Sequence, residues 1–182
     1  MTAPLVHFVA LVGRFGEAGA RDAFESLVAQ LVILDHHDAR QVAVRRGDGG
    51  LDVIVGCPTG DLDVWQAKFF YPAFTRDHRS KVKAALEAAQ RTAQDGGGRL
   101  RRWTLCVPVN LDVAGSRWWD SLVSAHPDID IRLWGLTGLE ARLTSSAGRD
   151  IRWAYFELMD PTSGFRVSPP TTVDDADPLD LG

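Results

Sequence analysis

Two spacings in this chain could do chemistry. Asp52 follows a glycine-rich turn in "RRGDGGLD", and fourteen residues later "WQAK" sets Gln66 and Lys68 two residues apart. Residues two apart on a strand share a face, so an amide and an ammonium would emerge together. If strands over residues 51–56 and 62–71 pair around the five-residue turn 57–61, Gly56 lies opposite Leu62 and Asp52 opposite Gln66. Directly opposed residues of an antiparallel pair project to one face. A slip of one residue would separate them. The other face of this hairpin carries Leu51, Val53, Val55, Trp65, Ala67 and Phe69, a core face.

A carboxylate, an amide oxygen and an ammonium at a strand end suit metal-assisted phosphodiester cleavage. Mg²⁺ takes oxygen ligands and keeps several waters. It also acidifies a bound water and offsets charge on the phosphate. Asp52 would bind the cation directly, Gln66 would add a neutral oxygen, and Lys68 would steady the scissile phosphate or the attacking water. A single carboxylate holds Mg²⁺ weakly. Glu25 is the candidate second acid, on the polar side of a helix beside the packing residue Phe24. Taken one at a time, Asp52, Gln66 and Lys68 equally suit the solvated face of a surface hairpin.

The elements that must position these residues follow from periodicity. Residues 19–35 place Phe24, Leu27, Val28, Leu31 and Leu34 at helical spacing. Residues 1–15 leave strand or loop open. Alternation predicts a strand over 39–47, "GDGG" a turn, and strands follow over 51–56 and 62–71, the last ended by Pro72. Residues 76–94 form an Ala-rich helix stopped by "DGGG". Strands at 101–110 and 129–135 alternate with helices at 114–127 and 136–146, and "IRWAYFELM" reads as one more edge strand. Tight turns make the early strands antiparallel, and the later strand–helix–strand units imply right-handed crossovers. The expectation is an α/β sandwich on a mixed sheet. Residues 1–159 would form one domain, and the Pro- and Asp-rich residues 160–182 a linker or disordered tail.

Composition narrows the partners. Hydrophobic residues make up 45% and charged residues 24%, ordinary for a soluble domain. No apolar run approaches the ~20 residues that span a bilayer. "APLVHFVALVG" lacks a basic leader and a cleavage site, so a cytoplasmic location without membrane contact is expected. Cys57 and Cys106 read as small buried residues in a reducing compartment. The net charge is −4, but beyond Asp150 six acids face only Arg152 and Arg166. The residues up to 150 therefore balance, with 18 acids and 18 bases. A neutral domain binds nucleic acid if its bases share one face.

The helix after "WQAK" carries such bases. Arg76, Arg79, Ser80, Lys81 and Lys83 are the candidate phosphate contacts, with backbone amides of the first turn adding to anion affinity. A solvated helix face accounts for the same charges. His36 and His37 read as surface histidines, because adjacent residues point apart and no further His or Cys lies nearby. "RWWD" reads as core packing or a partner surface. "GRFGEAG" lacks the Lys and Ser/Thr of a phosphate loop.

Taken together, "FESLVAQL", "GDGGLDVIV" and "VWQAKFF" resemble the Mrr-like branch of the PD-(D/E)xK nuclease superfamily. Members of that branch carry a helix Glu, a glycine-rich turn before the catalytic Asp, and Gln-x-Lys in place of Glu-x-Lys. The resemblance implies a restriction-endonuclease-like mixed sheet flanked by helices, in the order αβββαβ followed by a further αβα. Its core of helix, meander, helix and strand maps onto residues 19–110. It implies that Glu25, Asp52, Gln66 and Lys68 are catalytic, and that Glu25, Asp52 and Gln66 hold Mg²⁺, with Mn²⁺ as a substitute. The activity implied is endonucleolytic cleavage of DNA. The family's proline before the Asp is absent, and Asp48 reads as a turn former. "RRWTLCVPVNLD" and "IRLWGLTGLEARL" look like segments of nuclease modules at the front of bacterial anti-phage defence proteins. With the Pro- and Asp-rich tail, that likeness suggests other domains or subunits of a defence complex as partners, and a neutral domain that binds DNA weakly by itself fits a homo-oligomer when active. Two alternatives stay open: a catalytically inactive nuclease-fold module that binds nucleic acid, and a protein-interaction domain whose basic helix and Trp-rich segment meet an acidic partner.

Overall fold

The apolar stripe Phe24, Leu27, Val28 and Leu31 does form a helix, with Val32 completing it in place of Leu34, which is exposed. This helix, α1, runs Val9–Asp35 in the computed structural model, which describes residues 6–41, 52–57 and 59–157. It therefore includes much of the segment left open as strand or loop. Its glycines obscure the pattern: the helix bends at Gly16, whose φ of 71° lies in the left-handed region that glycine adopts without cost.

Five strands follow in a single mixed sheet: β1 (Arg40–Gln41), β2 (Val53–Gly56), β3 (Asp61–Ala67), β4 (Arg99–Cys106) and β5 (Asp130–Trp134). Their spatial order is their chain order, β1-β2-β3-β4-β5. β1–β2 and β2–β3 are antiparallel, while β3–β4 and β4–β5 are parallel. Helix α2 (Arg76–Asp95) connects β3 to β4, and α3 (Val113–Ser124) connects β4 to β5. Both cover the same face, as crossovers of one hand between successive neighbours require. Helices α1, α4 (Leu136–Thr144) and α5 (Arg149–Arg152) cover the other. The α/β expectation holds: a five-stranded mixed sheet flanked by helices, consistent with a restriction-endonuclease-like fold.

Each face has its own core. Val53, Trp65 and Ala67 pack with Phe24, Leu27 and Val28 of α1. Ile54, Leu62, Val64 and Leu105 pack beneath Val82, Leu86 and Ala89 of α2 and Trp119 and Leu122 of α3. The central strands are thus buried on both sides, as parallel strands under crossover helices must be.

Four expectations need correction. Residues 151–157 are helical, α5 running into a π-helical turn at Trp153–Glu157, not an edge strand. Tertiary contacts decide this: Phe156 meets Phe8 edge-on at 5.4 Å, and Arg14 Nη1 donates to the Ala154 carbonyl at 2.6 Å. β3 stops at Ala67 rather than residue 71. Lys68 N–H makes a last ladder bond to the Cys106 carbonyl, and Phe70 N–H then turns back to the Lys68 carbonyl. Cys57 is exposed because it lies in the β2–β3 turn, although Cys106 is buried as expected. His36 is half-buried against Trp65, ring centroids 5.0 Å apart, rather than a free surface histidine. The "GDGG" turn, most of the first predicted strand and the tail from residue 158 lie outside the described residues. No described helix is long and apolar enough to cross a membrane.

Candidate active site

The hairpin register is the one that brings Asp52 to Gln66. Gly56 pairs with Leu62 and Val53 with Trp65, so the next position back sets Asp52 against Gln66. Gln66 Nε2 donates to Asp52 Oδ2 at 2.8 Å, and Ala67 N–H donates to the same oxygen at 2.6 Å. Two donors on one carboxylate oxygen fix the side chain's orientation.

This pair is not on a solvated face. Asp52 is 6% exposed and Gln66 0%, on the face that also carries Leu62 and Val64 beneath α2. The surface-hairpin reading therefore fails for both. A buried carboxylate is costly unless compensated, and burial accordingly raises the Asp52 pKa, opposed by Lys68 and by the two hydrogen bonds. With its Nε2 given to Asp52, Gln66 keeps a buried carbonyl oxygen, Oε1, without a hydrogen-bond partner. Such orphaned acceptors are rare in folded proteins and call for an explanation.

Where β3 ends, a cleft of about 710 Å³ opens between α1 and α2. It lies at the carboxyl end of the parallel strands, where open α/β sheets bind their ligands. Glu25 and Arg21 line it from α1, Lys68 from the end of β3, and His78 and Lys81 from α2. Glu25 is half-buried, and its pKa is pushed up to about 7, first by burial and then by the Asp52 charge, with Lys68 pulling it down. That coupling places the three charged groups within electrostatic reach of one another. Asp52 and Gln66 are not on the cleft wall. They sit behind it, joined through Ala67, which lines the cleft and whose N–H holds Asp52.

The structure thus brings together Glu25, Asp52, Gln66 and Lys68, the four residues singled out from spacing and resemblance. The donor set of two carboxylates and one unpartnered amide oxygen is all hard oxygen, which fits Mg²⁺ or Mn²⁺ rather than a soft-ligand metal. Among the described residues no group of three or more His, Cys, Asp or Glu could hold a metal.

The basic helix divides differently from expectation. Of its five candidates, only Lys81 lines the cleft. Arg79 turns to α3, its guanidinium 5.9 Å from the Trp118 ring, and its buried Nε points away from solvent. Ser80 Oγ donates to the Asp77 carbonyl, Lys83 lies 3.9 Å from Glu87, and Arg76 is exposed in the first turn. Trp119 is buried and Trp118 packs on Phe74, so "RWWD" is chiefly core. Residues missed from sequence are Arg21 and His78. Arg21 precedes Glu25 by four residues, one helical turn on the same face, and that spacing was a usable signal. His78 accepts the Thr75 N–H on Nδ1 at 3.1 Å and lies flat on Phe70, centroids 3.9 Å apart. Burial and then Lys81 hold its pKa below the usual imidazole value.

Compared with known proteins, the chain matches no protein-family model, and no curated protein matches it significantly.

Proposed function

We propose that this protein is a Mg²⁺-dependent endonuclease that hydrolyses DNA phosphodiester bonds, acting as a cytoplasmic effector of a bacterial defence system. The observation that carries the reading is the buried Asp52–Gln66 pair, which holds one carboxylate in place and leaves Gln66 Oε1 unsatisfied beside it. Glu25, Asp52 and Gln66 would hold the cation, which when bound supplies Lewis acidity and an acidified water. Ala67 N–H and Gln66 Nε2 fix the Asp52 carboxylate, so one of its oxygens is committed to the protein. Lys68 places a positive charge on the cleft wall, where a scissile phosphate would sit. Lys81 and Arg21, on the opposing helices, supply charge for neighbouring phosphates. Contacts of that kind position a strand without reading its sequence. The defence role rests on the family resemblance alone; assembly into a homo-oligomer or larger complex would supply the DNA affinity that residues 1–150, with 18 acids and 18 bases, lack by net charge.

The test is nicking of a supercoiled plasmid with Mg²⁺, comparing wild type, Asp52→Ala and Lys68→Ala. Either substitution is expected to lower the rate by at least about 100-fold, a loss of several kcal/mol of charge stabilisation. Equal nicking by all three proteins would refute the assignment. The second reading, an inactive nuclease fold that binds DNA, is favoured by the neutral amide at the position of an acid. It predicts binding that weakens steeply with salt and no metal-dependent cleavage.

A further inference from the structure

We infer that the cleft takes an unpaired nucleotide strand, with a base stacked on Tyr71, in preference to an intact duplex. The inference deepens the nuclease reading and rests on it for the phosphate end of the cleft.

Three rings step outward from the core to the cleft. Phe24, fully buried in α1, meets Phe69 at 5.6 Å, and Phe69 stacks with Tyr71 at 5.9 Å and an interplanar angle of 20°. Tyr71 is the outermost, 39% exposed, and among the described residues no second ring covers its other face. An isolated exposed aromatic needs no explanation. This one is different because it lines the same cleft as Arg21, Lys68 and Lys81. A rigid ring backed by two others, set among three cations, combines the stacking platform and the charged groove that hold single strands.

A duplex cannot use the ring. Away from its ends its bases are stacked internally, and it presents phosphates, sugars and base edges, not base faces. The volume of about 710 Å³ also lies in the range of clefts that enclose a small ligand, roughly 300–1,000 Å³. A nucleotide or two, pulled free of pairing, matches that size. The second stacked pair, Phe70 and His78, stiffens the α2 side of the cleft and keeps Lys81 one helical turn from the ring platform.

The test is fluorescence anisotropy with a short single-stranded oligonucleotide and with its blunt duplex, in Ca²⁺ at low salt, for wild type, Tyr71→Ala, Tyr71→Phe and Lys81→Ala. The single strand is expected to bind more tightly than the duplex. Tyr71→Ala should weaken the strand roughly five- to 150-fold, the range for loss of one base–aromatic stack, with duplex affinity unchanged and Tyr71→Phe close to wild type. With three cations on phosphates, log K should fall against log salt with a slope of about −2, reduced by about 0.7 in Lys81→Ala. Circular dichroism checks that Tyr71→Ala stays folded, and Tyr71→Phe tests the ring independently. Duplex binding as tight as strand binding, no strand binding, or equal loss on both forms in Tyr71→Ala would overturn the inference. Mg²⁺-dependent cleavage is scored separately. Strand binding that depends on Tyr71 without cleavage of any DNA would remove the nuclease reading and leave the stacking site standing. Cleavage unaffected by Tyr71→Ala, with equal binding of both forms, would remove this inference alone.

Discussion

Replacing Glu25 by Gln should make the metal-free protein more stable at alkaline pH, and the size of the gain follows from the site. Glu25 is half-buried, shares its surroundings with Asp52, and has its pKa raised from 4.5 to about 7. A carboxyl whose pKa is higher folded than unfolded binds its proton more tightly in the native state. Its contribution is fully present below pH 4.5 and is lost as pH rises towards about 7. At about 1.36 kcal/mol per pH unit the whole window is worth about 3 kcal/mol, and screening at a half-exposed site reduces this to about 1–2 kcal/mol. For a chain of this size, 1 kcal/mol moves the melting temperature by about 2–4 °C. Melting temperatures measured in EDTA from pH 4.5 to 8 should therefore fall by a few degrees more in wild type than in Glu25→Gln. The two curves should diverge between pH 4.5 and 7 and run parallel above. Curves parallel throughout, or a wild type more stable than the variant at pH 8, would refute the electrostatic account of the site.

Other perturbations probe different parts of the molecule. Gln66→Glu sets a second carboxylate against buried Asp52; its melting temperature in EDTA should drop below wild type by several degrees and recover with Mg²⁺ by more than wild type gains. Asp63→Asn should cost about 2–3 kcal/mol in urea denaturation, because Asp63 is 2% exposed and pairs with Arg101 at 2.6 Å and Arg102 at 3.1 Å. Gly56→Ala should destabilise by at least about 1–2 kcal/mol, since φ is 102° and the new methyl would run into the Asp61 carbonyl oxygen; retained stability would mean that the β2–β3 turn has another geometry.

Much of this architecture could be read from the residues. A short turn between two apolar runs fixed the β2–β3 register, and that register alone makes Asp52 and Gln66 partners. What could not be read depends on contacts between distant segments. The early part of α1 hides behind three glycines, and its helicity is set by packing of Leu11 and Phe8 in the core. "IRWAYFELM" has the aromatic content of a strand, yet Gln30 Nε2 bonding the Tyr155 hydroxyl and Phe8 meeting Phe156 select a helical turn. Periodicity likewise shows that Asp52 and Gln66 share a face, but not that α2 buries that face. Whether Arg79 faces a cleft or a tryptophan is decided by where α3 lies, and no local pattern carries that.

The sheet adds its strands in chain order, so each could join its neighbour as it emerges during synthesis. Helix α1 is the exception. Besides packing on β2 and β3, it is tied to the other end of the described chain: Arg14 reaches the Ala154 carbonyl, Gln30 the Tyr155 hydroxyl, and just before the helix Val6 N–H reaches Glu140. The wall that carries Arg21 and Glu25 is therefore held from two sides, by the sheet and by the last described helical segment. A nascent chain could dock Phe24 on β3 and Phe69 early, but the clasp on the Arg14 and Gln30 side chains waits until synthesis has passed residue 156.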